Sequence, residues 1–228
     1  MPITNGFSRL SILPLLCRVV CTGKTVFLKL IGSTKKMQDS LSTNSTAQMT
    51  HTLQQYQSVV NRCKDLYVKK AQDYGTSWRV LRPISIVDQV YIKAWRIRQI
   101  QELGTQKIGD SIASEFIGIV NYGIIALIQN ALPADTETEM AAQDAKHWYE
   151  LKAKEIEDLM LQKNHDYGEA WRDMSQQSFV DLILVKLLRI KQILANDGQT
   201  IVSEGIDANF CDIVNYGIFA LIKIDEQS

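Results

Sequence analysis

The sequence predicts an all-α protein: two tandem three-helix repeats packed as an intramolecular pseudo-two-fold helical bundle. Three observations predict it. Phe116–Ile128 (FIGIVNYGIIALI) lines up with Phe210–Ile222 (FCDIVNYGIFALI), with ten of thirteen positions identical. Lys70–Ile100 lines up with Lys163–Ile193 without a gap, at a step of 93 residues and with 14 identities in 31 positions. One inserted residue moves the register to 94 for the first pair. Third, apolar residues within each copy recur at helical spacing. Self-similarity at a long fixed step is a property of the whole architecture and constrains the fold before any local signal does.

Residues 1–48 stand apart from the duplicated region. They hold six Lys/Arg and a single acid, Asp39, and their apolar run Leu10–Leu16 is broken by Pro14. That run is too short for a membrane span, which needs roughly 20 apolar residues. We read 1–48 as a poorly structured leader or a mis-assigned start, with the protein beginning near Met49; an organellar-type leader is the alternative. Repeat 1 then covers 49–131, a linker 132–139, and repeat 2 140–228.

In repeat 1 the first helix spans Thr50–Gln72, with Leu53, Tyr56, Val59, Cys63 and Tyr67 on its apolar face. AspTyrGly at 73–75 ends it, Gly75 being suited to a left-handed C-terminal position. Pro83 stops any helix before it. The S-x-x-D stretches Ser85–Asp88 and Ser178–Asp181 resemble capping signals, so second helices are expected from about Ile86 to Glu102 and from about Phe179 to Ala195. The third helices, about Asp110–Asn130 and Ser203–Ile224, are apolar nearly all round and should be the buried centre. Gly123 and Gly217 in mid-helix cost about 1 kcal/mol each against alanine, which suggests close approach of another backbone. Met140–Lys163 is the partner of the first helix.

Net charge is zero, but residues from 49 on hold 19 basic and 24 acidic side chains, a net of −5. A negative body argues against broad duplex binding and leaves small-ligand or nucleotide binding open. Cys17, Cys21, Cys63 and Cys211 form no CxxC or Cys/His cluster, so they read as free thiols in a reducing compartment. His51, His147 and His165 are unmatched between copies and read as surface residues. No nucleophile–base constellation, GxGxxG or phosphate loop is present.

Three repeated groups could carry chemistry. The first is K-x-x-D-Y-G-x-x-W-R: Lys70, Asp73, Tyr74, Trp78 and Arg79, then Lys163, Asp166, Tyr167, Trp171 and Arg172. It reads either as a stiff helix-ending turn or as a cup, with Trp and Tyr to stack on a base and Lys and Arg to hold phosphate. The second is Asp88, Lys93, Arg96 and Asp181, Lys186, Arg189, whose half-buried cations need anionic partners. The acids have a capping alternative. The third sets Glu115, Asn121 and Tyr122 against Asp212, Asn215 and Tyr216. Each copy keeps one carboxylate, at different positions, and the pair either binds Mg²⁺ across the repeats or joins a buried hydrogen-bond lattice.

On these residues the chain resembles a bacterial and phage family of unknown function, a helical nucleotide modification associated domain. The matching pieces are DYGxxW at Asp73–Trp78 and Asp166–Trp171, D-x-x-x-x-K-x-x-R at Asp88–Arg96 and Asp181–Arg189, and the Asn-Tyr pairs Asn121–Tyr122 and Asn215–Tyr216. The resemblance covers roughly residues 50–224 in two copies and implies nucleotide metabolism or nucleic-acid modification. A weaker likeness is to MazG-like all-α nucleotide pyrophosphatases, which hold Mg²⁺ through ExxE and ExxD on adjacent helices. Here Glu115 and Asp212 are fragments of an ExxD, and the helix expected to carry ExxE carries Lys and Arg.

The expected function is binding of a nucleotide or nucleotide-derived phosphate, with hydrolysis left open. Any hydrolysis would be Mg²⁺-dependent and pyrophosphatase-like, with Glu115 and Asp212 as metal ligands. The alternative is a non-enzymatic module whose repeated polar residues only specify packing. The expected partner is a small-molecule nucleotide in the cytoplasm, not a membrane or bulk duplex DNA; self-association stays open.

Overall fold

The computed structural model describes the backbone of residues 24–133, 136–202 and 204–227, and side chains from Gln48 on. The leader reading of residues 1–23, with Cys17 and Cys21, lies outside the described residues. Among the described residues six helices follow one another: α1 (Lys24–Tyr74), α2 (Pro83–Leu103), α3 (Ile112–Ala131), α4 (Ala142–Tyr167), α5 (Gln176–Ala195) and α6 (Ile206–Asp225). Short 3₁₀ turns, Ser77–Val80 and Ala170–Asp173, follow α1 and α4. Among the described residues there is no strand. α1 begins at Lys24, well before Thr50.

Residues 48–228 form one compact unit. The most extensive helix contact is between α3 and α6, as their all-round apolar faces require, and α2 and α5 pack beside them and on each other. Each mid-helix glycine faces the valine that matches its counterpart's. A Cβ on Gly123 would meet the Val214 methyl at 2.6 Å, and one on Gly217 would meet Val120 at 3.0 Å. Gly123 and Gly217 therefore mark a close crossing, as expected, filled by valine rather than by glycine and alanine alone.

α1 and α4 cover this centre in exchanged fashion. The Tyr56 hydroxyl of α1 donates to Asn215 on α6, and the Tyr149 hydroxyl of α4 donates to Asn121 on α3. Tyr56 and Tyr149 are matched at the 93-residue step, as Asn121 and Asn215 are at 94. These exchanged bonds express the pseudo-two-fold axis. The charge pairs between α2 and α5 obey it too: Asp88 meets Lys191 at 2.7 Å and Asp181 meets Arg98 at 3.7 Å.

The capping reading of Asp88 and Asp181 is thereby corrected. α2 starts earlier, at Pro83, where a missing N–H costs nothing. α5 starts after Ser175, whose hydroxyl oxygen accepts the Ser178 N–H at 3.1 Å. Both acids then sit more than one turn inside and face across to the other repeat. Gly75 and Gly168 do terminate α1 and α4, with φ of 68° and 59°.

Candidate functional site

Each repeat builds one cleft at the end of its first helix. The glycine turn drops the chain so that Trp78, or Trp171, folds back under the helix end as a buried floor. Tyr74 and Tyr167 stay exposed at the rim. The last turn of the first helix contributes Lys70 or Lys163, and the third helix contributes Asn121–Tyr122 or Asn215–Tyr216. The clefts measure about 370 and 360 Å³. Every residue lining the second has its counterpart lining the first, under the same 93 and 94 steps. A shared lining of this kind makes them two copies of one site.

The asparagines fasten the backs of the clefts. Asn121 accepts from Tyr149 at 2.9 Å and donates to the Cys63 carbonyl at 3.1 Å, and Asn215 accepts from Tyr56 at 2.8 Å. Burial pushes the Tyr67 hydroxyl in the first cleft's wall up to about 12, an effect the adjacent Trp78 indole N–H partly offsets.

Their charges differ. In the second cleft Asp212 takes both lysines, Lys163 and Lys186, at 2.5 Å each. Burial works against the charge on Lys163, but the hydrogen bond and charge of Asp212 prevail and hold its ammonium above the usual lysine value. In the first cleft the position of Asp212 is Gly118. Its acid is Glu115, one turn earlier, which accepts from Arg96 at 2.6 Å and lies 3.4 Å from the Lys93 ammonium. The Lys93 stem lies against Gly118, where a Cβ would come within 2.6 Å of it. Lys70 is exposed and, among the described residues, has no ion pair or hydrogen bond. Among the described residues no carboxylate lines this cleft; Glu139 of the linker lies against Gly75 at its edge.

Several residues of the expected cup turn elsewhere. Arg79 donates to Gln129 and the Thr136 carbonyl, and Gln129 returns a bond to the Arg79 carbonyl. Arg172 stacks on Trp171 and donates to Glu169, Glu226, Thr52 and Gln55. Lys223, the counterpart of Gln129, donates to the carbonyls of Arg172 and Met174. Both arginines are thus braces of the turn. Asp73 and Asp166 are exposed, the latter beside His165, and Arg189 is exposed outside the cleft lining.

Glu115 and Asp212 are each held by two cations of their own repeat. Among the described residues no three His, Cys, Asp or Glu side chains cluster. Sequence reasoning gave no site role to Gly118, whose only signal was its alignment with Asp212, or to the Tyr56–Tyr149 pair, which lies upstream of the aligned block. Cys63 and Cys211 are free and the three histidines are exposed, as expected.

A family model described as nucleotide modification associated domain 1 matches residues 70–130 and again 163–224. No curated protein and no solved structure matches the chain. The weaker likeness to MazG-like pyrophosphatases finds no support in these comparisons.

Proposed function

We propose that this chain, which belongs to the nucleotide modification associated domain 1 family and carries that domain twice, binds a nucleotide in the first cleft. The observation that carries the reading is Lys70, a lysine without an acid partner among the described residues, beside the exposed ring of Tyr74 and the ring of Tyr122. An aromatic rim offers a face to a base, and an uncompensated ammonium offers a charge-assisted bond to phosphate. A cleft of about 370 Å³ falls at the small end of ligand sites, which suits one mononucleotide. Binding, rather than hydrolysis, is what this arrangement supports. Among the described residues the lining holds no carboxylate or histidine to activate water, and Mg²⁺ would arrive on the phosphates themselves.

Thermal shift and calorimetry with nucleoside mono-, di- and triphosphates test this. A nucleotide at 100 times its Kd should stabilise the protein by about 2.7 kcal/mol. Lys70→Ala should weaken it by roughly tenfold or more, as expected for loss of one bond to a charged group.

A second reading has its own support. Asn121, Asn215, Arg79, Arg172, Glu115 and Asp212 all find partners within the chain. On that reading the repeated polar residues specify packing alone, and no nucleotide shifts the melting curve.

A further inference from the structure

We infer that the two clefts are unequal copies: the first takes the phosphate of a nucleotide, and the second is closed to it because Asp212 occupies the anion's place. The inference rests on the nucleotide reading above. It starts from the correspondence of the linings, which makes each cleft a measurement of the other. Lys163 and Lys186 are the counterparts of Lys70 and Lys93 at the 93-residue step. In the second cleft these two ammoniums converge on a single carboxylate, at 2.5 Å each. An oxyanion between two lysines is therefore an arrangement this scaffold holds.

In the first cleft the same position carries no side chain of its own, and the Lys93 stem and ammonium lie against it. Gly118 stands where Asp212 does, and the acid is moved back one turn to Glu115, which pairs chiefly with Arg96. Lys93 keeps only a 3.4 Å contact to that acid, and Lys70 keeps none among the described residues. The pair of lysines is thus left short of one anionic group at the point where the sister cleft supplies its own. A phosphate or carboxylate oxygen of a ligand meets that need.

The tethered carboxylate of Asp212 works against any incoming anion twice. It is always present at high effective concentration, and its charge repels phosphate. In the second copy Asn209 replaces the acid of Glu115, so Arg189 has lost the partner that Arg96 keeps. The change at Asp212 and the change at Asn209 are two halves of one exchange, E-x-x-G for N-x-x-D.

Binding stoichiometry of the full chain decides it. Equilibrium dialysis would use radiolabelled nucleoside 5′-monophosphates of each base at saturation. The wild type should bind one per chain. Lys70→Ala should lose roughly tenfold or more in affinity, and Lys163→Ala should leave affinity unchanged. The exchanged variant Asn209→Glu with Asp212→Gly should bind two per chain. The reverse exchange, Glu115→Asn with Gly118→Asp, should bind none, with a melting curve that shows it folded. Two molecules bound to the wild type, or one whose binding depends on Lys163 and not Lys70, would overturn the inference while leaving the nucleotide reading intact. If the exchanged variant does not fold, the reverse exchange and the two lysine variants still decide. No binding to the wild type would overturn the nucleotide reading and this inference together.

Discussion

The Tyr56 hydroxyl donates to the Asn215 side-chain oxygen at 2.8 Å, reaching from the first helix of one repeat to the last helix of the other. Its counterpart, Tyr149 to Asn121, does the same in the opposite direction at 2.9 Å. Both tyrosines are fully buried, so removing either hydroxyl strands a buried acceptor. Tyr56→Phe and Tyr149→Phe should each lower stability by about 1–3 kcal/mol in urea titrations. Two neutral results would mean that the exchanged bonds do not tie the repeats.

The glycine crossing should respond unevenly. Gly123→Ala drives a methyl to 2.6 Å from Val214, whereas at Gly217 the approach is 3.0 Å. The first change should cost about 1–3 kcal/mol despite its gain in helix propensity. The second should fall closer to neutral, because that gain of about 1 kcal/mol offsets a milder clash. Gly217→Leu should overpack outright. Equal effects of the two alanines would contradict the geometry.

The lysines of the two clefts should divide into structural and available. Lys186 is nearly buried against Asp212. Lys186→Ala should cost about 1.5–3 kcal/mol, as for a hydrogen bond to a charged group. Lys70→Ala should leave the melting temperature unchanged while weakening nucleotide binding. A melting temperature that falls with Lys70→Ala would show that the lysine has an internal role.

Much of this was legible from the duplication alone. A step of 93 residues makes every apolar helix face appear twice, so the buried α3 and α6 and the Gly123 and Gly217 crossing could be read directly. The clefts were legible in part: Lys70, Tyr74, Trp78 and Asn121 do line one surface, and Lys163, Tyr167, Trp171 and Asn215 the other. The internal partners of Arg79, and those of Arg172 other than Glu169, come from distant chain positions. Gln129 lies 50 residues beyond Arg79 and Glu226 54 beyond Arg172, and local spacing carries no sign of either. The start of α2 was misplaced for a local reason: Pro83 opens the helix, where it was expected only to end what preceded it.

Alkaline pH should unfold the protein earlier than its lysines alone would. Burial raises the Cys63 thiol from 9.0 to about 12 and Cys211 to about 11, and holds Tyr56 and Tyr149 well above 10.0. As pH passes the ordinary values, the unfolded chain releases these protons while the folded chain keeps them. The folded state then binds more protons, and stability falls with rising pH by about 1.4 kcal/mol per unit for each group in its window. Lys163, also raised, acts in the same direction. Urea midpoints should drop from about pH 9 upward, and Cys63→Ala should flatten the start of that fall. A level midpoint across this range would rule out the burial effect.

A chain beginning at Met49 should fold with an unchanged melting temperature. The compact unit begins at Gln48, whose side chain donates to Glu169 at a long 3.3 Å. Thr52 and Arg172 hold the same carboxylate more tightly, at 2.5 and 2.6 Å. A large drop in melting temperature would assign residues 1–48 a structural role.

The exchanged cover of α1 and α4 has a genetic consequence. In a pair of identical chains related by a two-fold axis, any codon change alters both clefts at once. Joining the two halves in one reading frame gives each cleft its own codons while the packing keeps its symmetry. Gly118 and Asp212, or Glu115 and Asn209, can then drift apart without a second gene. One half is free to lose its ligand and serve as scaffold for the other.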